Sequence, residues 1–167
     1  WQRNQSVQAA AMYDEVEKVV RGGDLQKAER AFADMRDRFS KAVYTQQAGL
    51  LVAKMAYEAG KMDSAKSTLS WLSDNAADKG YASVARLRLS AVLIEGKAYD
   101  EALKLLESGI AEEFAALADD RKGDIFTLKG KKAEAPKEET KPVSTVQDVK
   151  EKRRFDEIVK EAEGAPV

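Results

Sequence analysis

Three carboxylates and two cations lie within six positions in the stretch DDRKGD, residues 119–124. Such a group could bind a metal ion or take part in acid–base catalysis. However, the stretch lacks the ligand spacing of a calcium loop, and Asp120 and Asp124 fall four residues apart on one helix face, with Arg121 and Lys122 available to pair with them. The pattern therefore favours ordinary surface ion pairs over a reactive site.

The other candidates for covalent chemistry are four serines, Ser6, Ser40, Ser83 and Ser90. The 167 residues contain neither His nor Cys, which excludes His bases, Cys nucleophiles, disulfides and thiolate zinc sites. The chain also lacks a G-x-S-x-G elbow and a phosphate-binding glycine loop. A serine–lysine dyad would need a lysine in apolar surroundings, whereas the lysines fall on charged helix faces. We therefore predict a protein that is not an enzyme and uses no cofactor or metal.

The composition limits both the class of protein and its partners. A hydrophobic content of 44% over 167 residues is enough for one ordinary core, most simply in a single domain. With 28 basic and 29 acidic residues there is no excess of positive charge to neutralise a phosphate backbone, so nucleic acid is not expected as a partner. No apolar run approaches the roughly 18 residues that span a bilayer. A chain without Cys suits reducing and oxidising compartments equally.

A phrase built from a glycine, an alanine and an apolar stripe recurs along the chain. The alanines align at Ala28, Ala65, Ala102 and Ala135, with spacings of 37, 37 and 33 residues. Apolar residues precede three of these alanines by three positions and follow them by four, which is one helical stripe. These apolar residues are Leu25, Met62 and Tyr99, and then Phe32, Leu69 and Leu106. Periods of this length predict stacked helical hairpins.

The residues before each alanine predict the turn of the hairpin. A glycine stands five or six positions earlier, at Gly23, Gly60, Gly96 and Gly130, where a left-handed residue can end the preceding helix. An aspartate follows three of these glycines and can cap the next helix or lie at its positive end. The aspartates are Asp24, Asp63 and Asp100. First helices are expected at roughly 5–20, 43–59, 81–95 and 115–129.

The small residues are expected to set how closely the two helices of each hairpin cross. An alanine allows close approach, whereas a larger side chain would overpack the crossing. By the same reasoning, Gly123 in the fourth first helix reads as a packing contact. The expected packing residues are therefore Gly23, Ala28, Gly60, Ala65, Gly96, Ala102 and Gly123.

The fourth phrase is imperfect, and a different kind of sequence follows it. Lys132 and Glu139 stand where the stripe requires apolar residues, and Pro136 follows the alanine directly. Residues 136–145 read as a charged linker, and residues 146–164 as a short charged helix with a narrow apolar stripe. We therefore divide the chain into a repeat domain, 1–135, a linker, 136–145, and a C-terminal helix, 146–164. That helix caps the last hairpin, occupies the array's own groove as a peptide mimic, or remains a mobile tail.

The repeat resembles the tetratricopeptide unit, a helix–turn–helix of 34 residues. We therefore expect an all-α, tetratricopeptide-like solenoid of three to four repeats, with a groove lined by the first helices. The mixture of aromatic, aliphatic and charged groups there suits an extended or helical peptide, although Leu50, Tyr57 and Leu93 read equally well as core. Carried over from the repeat, the groove positions are Tyr13, Glu17, Val20, Gln47, Leu50, Lys54, Tyr57, Arg86, Ser90, Leu93 and Ile94.

Three ordered stretches carry a more specific resemblance: WQRNQSVQAAAMYDEV, YASVARLRLSAVLIEGKAYDEALKLLE and LADDRKGDIFTLKGKKAEA. Together they resemble the periplasmic domain of the ancillary SecYEG translocon subunit family, the YfgM type, over about residues 1–135. The resemblance implies a membrane anchor before Trp1, a location at the periplasmic face of the bacterial inner membrane, and SecYEG and a PpiD-type chaperone as partners. It also implies a weaker link to envelope stress signalling. Without the resemblance, the composition would equally fit the cytoplasm.

Three functions therefore remain open at this point. The first is a noncatalytic module that docks a translocon or chaperone partner. The second is an assembly scaffold that self-associates through its end hairpin or its C-terminal helix. The third is a chaperone that holds unfolded clients directly.

Overall fold

The fold is known from a computed structural model that describes residues 1–134 and residue 160. The described residues form seven α-helices and one 3-10 turn, which confirms the predicted all-α array. The helices are α1 (Gln2–Arg21), α2 (Leu25–Arg38), α3 (Val43–Glu58), α4 (Met62–Asn75), α5 (Lys79–Glu95), α6 (Tyr99–Leu106) and α7 (Ala115–Glu134), with the 3-10 turn at Glu112–Phe114 preceding α7.

The helices pair in chain order as antiparallel hairpins, and each hairpin stacks on the next. The first helices α1, α3, α5 and α7 fall where the apolar stripes predict them, and α2, α4 and α6 are the second helices. Besides its own partner, α4 packs against α5, and α3 packs against both α1 and α2. Each internal helix is therefore covered on more than one side.

The three aligned alanines lie in the buried interior of the array, as expected for residues at a close helix crossing. Ala28, Ala65 and Ala102 are each fully buried, with 0% of their surface exposed. Their neighbours in the stripe are buried as well, with Phe32, Leu69 and Leu106 at 4% exposure or less. A small side chain at the crossing allows the larger ones on either side to reach the facing helix.

The buried apolar residues form two clusters that meet at one tryptophan. One cluster joins α1, α2 and α3 around Val16, Phe32 and Met35, and the other extends from α3 to α7 and ends at Ile125. The partly buried Trp71 of α4 packs against both clusters, and its ring meets that of Phe32 edge to face at 5.8 Å. The array therefore has a continuous interior.

The turns within the hairpins need one left-handed residue each, and the third turn differs from the prediction. Gly23 and Gly60 have φ angles of 80° and 74°, as expected for residues that end a helix. Gly96, however, has a φ of −78°, and the left-handed position is taken by Lys97 at 61°. The three left-handed residues are 37 positions apart, so Gly96 stands one position too early to fill this role.

The fourth first helix also departs from the prediction. Gly130 was expected to end this helix, but it lies inside α7, which continues to Glu134. The basic residues around Gly130 stabilise the last turn of a helix, which offsets the low helix propensity of glycine. Gly123 is exposed, and a Cβ there would meet no atom within 4 Å, so it makes no packing contact among the described residues. The reason is that Gly123 lies on the side of α7 opposite to the buried residues Ala118 and Ile125. The predicted linker and C-terminal helix lie outside the described residues, except for Lys160, which is helical and exposed.

A glycine that the sequence pattern does not single out makes the close approach instead. Gly49 is buried in α3, and a Cβ there would lie 2.9 Å from a Leu72 methyl carbon and 3.0 Å from the Phe32 ring. The absence of a side chain at Gly49 therefore leaves room for the side chains of two second helices.

Ala65→Leu tests the crossing constraint. We expect it to lower the free energy of unfolding by about 1–3 kcal/mol, because the fully buried crossing has no room for three more carbons. Ala11→Leu, at an exposed position of α1, should change it by no more than about 0.5 kcal/mol. Urea unfolding of both variants measures the difference. An Ala65→Leu protein as stable as the parent would show that the crossing is not close-packed.

Lys97→Gly tests the third turn. A non-glycine residue in the left-handed region carries a cost of about 1–2 kcal/mol, part of which glycine removes, so we expect the variant to be more stable than the parent. Lys104→Gly, within α6, should have the opposite effect and destabilise by about 1 kcal/mol. Thermal unfolding of the two variants should shift in opposite directions. A shift in the same direction would contradict the left-handed assignment of Lys97.

Candidate functional site

Three of the residues predicted to line the groove are buried in the core. Leu50, Ser90 and Leu93 have 3%, 0% and 4% of their surface exposed, and the Ser90 hydroxyl donates a hydrogen bond to the Leu87 carbonyl within its own helix. This corrects the prediction for Ser90, and it gives Leu50 and Leu93 the core position that the sequence left open beside a groove position. Because α3 and α5 are covered by neighbours on more than one side, their buried faces are wider than a single stripe suggests.

Arg86, another residue predicted to line the groove, is partly buried and has a structural role at the end of α6. Its Nη1 donates to the carbonyl oxygens of Leu105 and Ser108, at 3.1 and 3.2 Å, where α6 ends. The guanidinium lies against Gly109, where a Cβ would be only 2.7 Å from Nε. A cation at these carbonyls satisfies acceptors that the helix leaves unpaired. Arg86 therefore fixes the turn that leads to α7.

The remaining predicted groove residues are at least partly accessible and lie on the first helices of the first three hairpins. We call this surface, on α1, α3 and α5, the first-helix surface. It comprises the predicted residues Tyr13, Glu17, Val20, Gln47, Lys54, Tyr57 and Ile94, together with Tyr44, Tyr81 and Glu95, which the following contacts add.

Aromatic and amide contacts connect neighbouring first helices at one end of this surface. The rings of Tyr13 and Tyr44 lie 5.8 Å apart at an angle of 43°, which joins α1 to α3. Gln47 Nε2 donates a hydrogen bond of 2.8 Å to the Tyr81 hydroxyl, which joins α3 to α5. Each contact holds an aromatic ring that is only partly buried, so part of its surface remains available. Tyr44 and Tyr81 were not predicted, although their spacing of 37 residues marks them as equivalent positions.

A second set of contacts lies at the C-terminal ends of α3 and α5. The Tyr57 hydroxyl donates to the Glu95 carboxylate across the two helices, and Ile94 is half-buried beside it in sequence. Lys54, one turn before Tyr57, is exposed. On α1, Glu17 forms an i,i+4 ion pair with Arg21. Both signs of charge are thus present beside the aromatic side chains.

This combination of groups is suited to binding a polypeptide. Tyrosine offers a large, rigid contact area with a polar tip and loses little conformational entropy when it is bound. Fixed inter-helix contacts reduce the ordering needed on association.

Among residues 1–134 and residue 160, no group of three or more carboxylates is placed to hold a metal ion. In the DDRKGD stretch, Lys122 Nζ lies 3.2 Å from Asp119 Oδ1, an ordinary surface ion pair.

In the described part of the chain, none of the helices has both the length and the apolar character required to cross a membrane.

Comparisons with known proteins agree with the repeat and with the family resemblance. A family model described as a tetratricopeptide repeat-like domain matches residues 1–158. A curated ancillary SecYEG translocon subunit from Neisseria gonorrhoeae is 29% identical over 129 residues, which is 77% of this chain. This match confirms the resemblance to that family, and the matched stretch spans 62% of the relative's length. No solved structure matches the chain.

Alanine substitution separates the core from the accessible surface. Leu93→Ala should destabilise by about 2–5 kcal/mol, because it leaves a cavity among residues of α5 and its neighbours. Lys54→Ala, in the same predicted groove but exposed, should change the free energy of unfolding by no more than about 0.5 kcal/mol. Urea titrations give both values. Equal effects of the two substitutions would contradict the division of the groove residues described above.

Proposed function

The chain belongs to the tetratricopeptide repeat-like domain family, and from this premise we propose that it is a noncatalytic module that binds protein partners. The observation that carries the proposal is the first-helix surface, where partly exposed tyrosines are held in place by contacts between helices. Surfaces of this kind bind an extended or helical segment of a partner.

We propose further that the module serves protein translocation. The support is the similarity to a relative named as an ancillary SecYEG translocon subunit. In this proposal the module lies at the periplasmic face of the bacterial inner membrane, tethered by a segment outside this chain. Its partners are the translocon and a PpiD-type chaperone, and it assists the biogenesis of secreted proteins.

The balance of charges supports a protein partner over a polyanion. The chain has a formal net charge of −1, and the first-helix surface carries Glu17 and Glu95 as well as Lys54. A partner segment with apolar anchors and a mixture of charges would match this surface, because its side chains could meet the tyrosine rings and both signs of charge.

Binding measurements on two matched variants test the proposal. Purified SecYEG in lipid nanodiscs and the periplasmic domain of a PpiD-type chaperone are each titrated with the module. Tyr57→Ala should weaken binding to at least one of them by about tenfold, the effect of removing one anchor worth roughly 1.4 kcal/mol. Arg30→Ala, an exposed position on the second helix α2, should leave binding unchanged.

Two results would contradict the proposal. One is the absence of measurable binding of the parent module to either partner. The other is an equal loss in Tyr57→Ala and Arg30→Ala, since that would place the interaction away from the first-helix surface. Circular dichroism of each variant checks that the helices are intact, so a loss of binding cannot arise from unfolding.

A further inference from the structure

One side of α7 is uncovered in the described part of the chain. Phe126 is 61% exposed, and a Cβ added at Gly123 or at Gly130 would meet no atom within 4 Å. Ala116 and Thr127 are exposed on the same side. We call these five residues the open face of α7; the exposed carboxylates Asp119 and Asp120 lie among and beside them. Small residues at this spacing allow another helix to approach closely, and Phe126 offers it an apolar contact.

Equivalent helices in the array do not have such a face. Counted back twelve positions from the aligned alanines, α3 has Ala53, α5 has Ser90, and α7 has Gly123. Ala53 and Ser90 are buried, because second helices pack on α3 and α5. The open face of α7 therefore lies where the second helix of a fourth hairpin would pack.

The sequence explains why that second helix cannot begin in the usual place. In the first three hairpins it begins three residues before the aligned alanine. The same register would put Pro136 fifth in the fourth second helix, where proline lacks the N–H donor and clashes with the preceding turn. In addition, α7 continues to Glu134 and so uses the residues that would form the turn.

We propose that residues 146–163 of the same chain pack against the open face of α7 and take the place of this missing second helix. The linker, residues 136–145, provides the connection. The contact is an internal one, in which the apolar stripe of the tail lies against Phe126 and the small residues. The tail stripe consists of Val149, Phe155, Ile158, Val159 and Ala162. Large side chains on one helix would thus face small ones on the other, as in a close helix crossing.

The lengths of the segments permit this contact. Eleven residues of helix, about 16 Å, separate Gly123 from Glu134, and the ten linker residues 136–145 can extend to roughly 33 Å. A helix of 18 residues is about 27 Å long, close to the roughly 30 Å of the 20-residue α7. Lys160 is helical and exposed, and it does not belong to the apolar stripe. A tail helix can therefore turn back along the whole open face.

Tethering favours this occupant over a second copy of the chain. A segment joined by a ten-residue linker has an effective concentration in the millimolar range, above the concentrations at which a second molecule would compete. The open face offers a single large apolar side chain, which is little area for a contact between separate molecules. The inference does not depend on the function proposed above, because it concerns contacts within the chain.

Spin labelling tests the contact, and the absence of Cys from the chain allows one label per molecule. A nitroxide attached to Thr127→Cys, at the edge of the open face, should broaden the NMR signals of amides in residues 146–163. The same label on Lys27→Cys, exposed on α2, should leave those signals sharp. A third label on Lys54→Cys reports on the first-helix surface, where the tail would lie if it acted as a peptide mimic.

Three outcomes of this experiment would overturn the inference. In the first, the label on Lys54→Cys broadens the tail signals and the label on Thr127→Cys does not. In the second, none of the labels broadens them. In the third, the tail signals broaden when unlabelled ¹⁵N protein is mixed with spin-labelled ¹⁴N protein, which would mean that a second copy occupies the face. The expected result is broadening from Thr127→Cys that is absent in the mixed sample.

A matched pair of substitutions provides a readout that needs no label. Phe126→Glu and Val7→Glu both replace an apolar residue that is more than 60% exposed on a helix. Hydrogen exchange of the amides in residues 146–163 should become faster in Phe126→Glu and stay unchanged in Val7→Glu. Equal exchange in the two variants would overturn the inference even if both proteins remain fully folded.

Discussion

Close crossing of the two helices in each hairpin is the constraint on which the array depends. At Ala28, Ala65 and Ala102 nothing of the side chain is exposed, and the larger apolar residues on either side fill the space that a small crossing residue leaves between helices. The crossing fixes the distance between the axes, and this distance determines which residues of the next hairpin can be reached. The 37-residue period is therefore a packing requirement that recurs once in each repeat.

Buried polar side chains fix the angle at which successive hairpins follow one another. Gln46 Oε1 accepts a hydrogen bond from the Asp78 backbone N–H at 3.2 Å, and Ser83 Oγ accepts one from Ala111 N–H at 2.8 Å. Gln46 and Ser83 are 37 positions apart, so the same clamp connects the start of a first helix to the turn that ends the hairpin. In the described residues every buried side-chain nitrogen or oxygen has a hydrogen-bond partner. A fixed angle between hairpins keeps Tyr44 and Tyr81, which are 37 positions apart, in register along the first-helix surface.

Periodic features were predictable from the sequence, whereas features that depend on neighbouring helices were not. The alanine spacing predicted the hairpins and the first helices, because both follow from local periodicity. Ser90 was placed in a groove, and Leu93 was left open between groove and core, because one stripe cannot show that a helix is covered on two sides. The use of Lys97 as the left-handed residue departs from the usual preference for glycine, and the close approach at Gly49 involves side chains from two other helices. These details depend on tertiary packing, which a single stretch of sequence does not contain.

The position of Trp71 has a consequence for spectroscopy and for cooperativity. Its ring is shared by both apolar clusters, whereas the other tryptophan, Trp1, is 92% exposed. Any change in tryptophan fluorescence on denaturation should therefore arise almost entirely from Trp71. Because this ring loses its environment when either cluster opens, one emission signal reports on the coupling between the two halves of the array. Repeat proteins unfold in steps when coupling between neighbours is weak and as one unit when it is strong. Trp71 packs against both clusters, so its emission responds to the loss of either one.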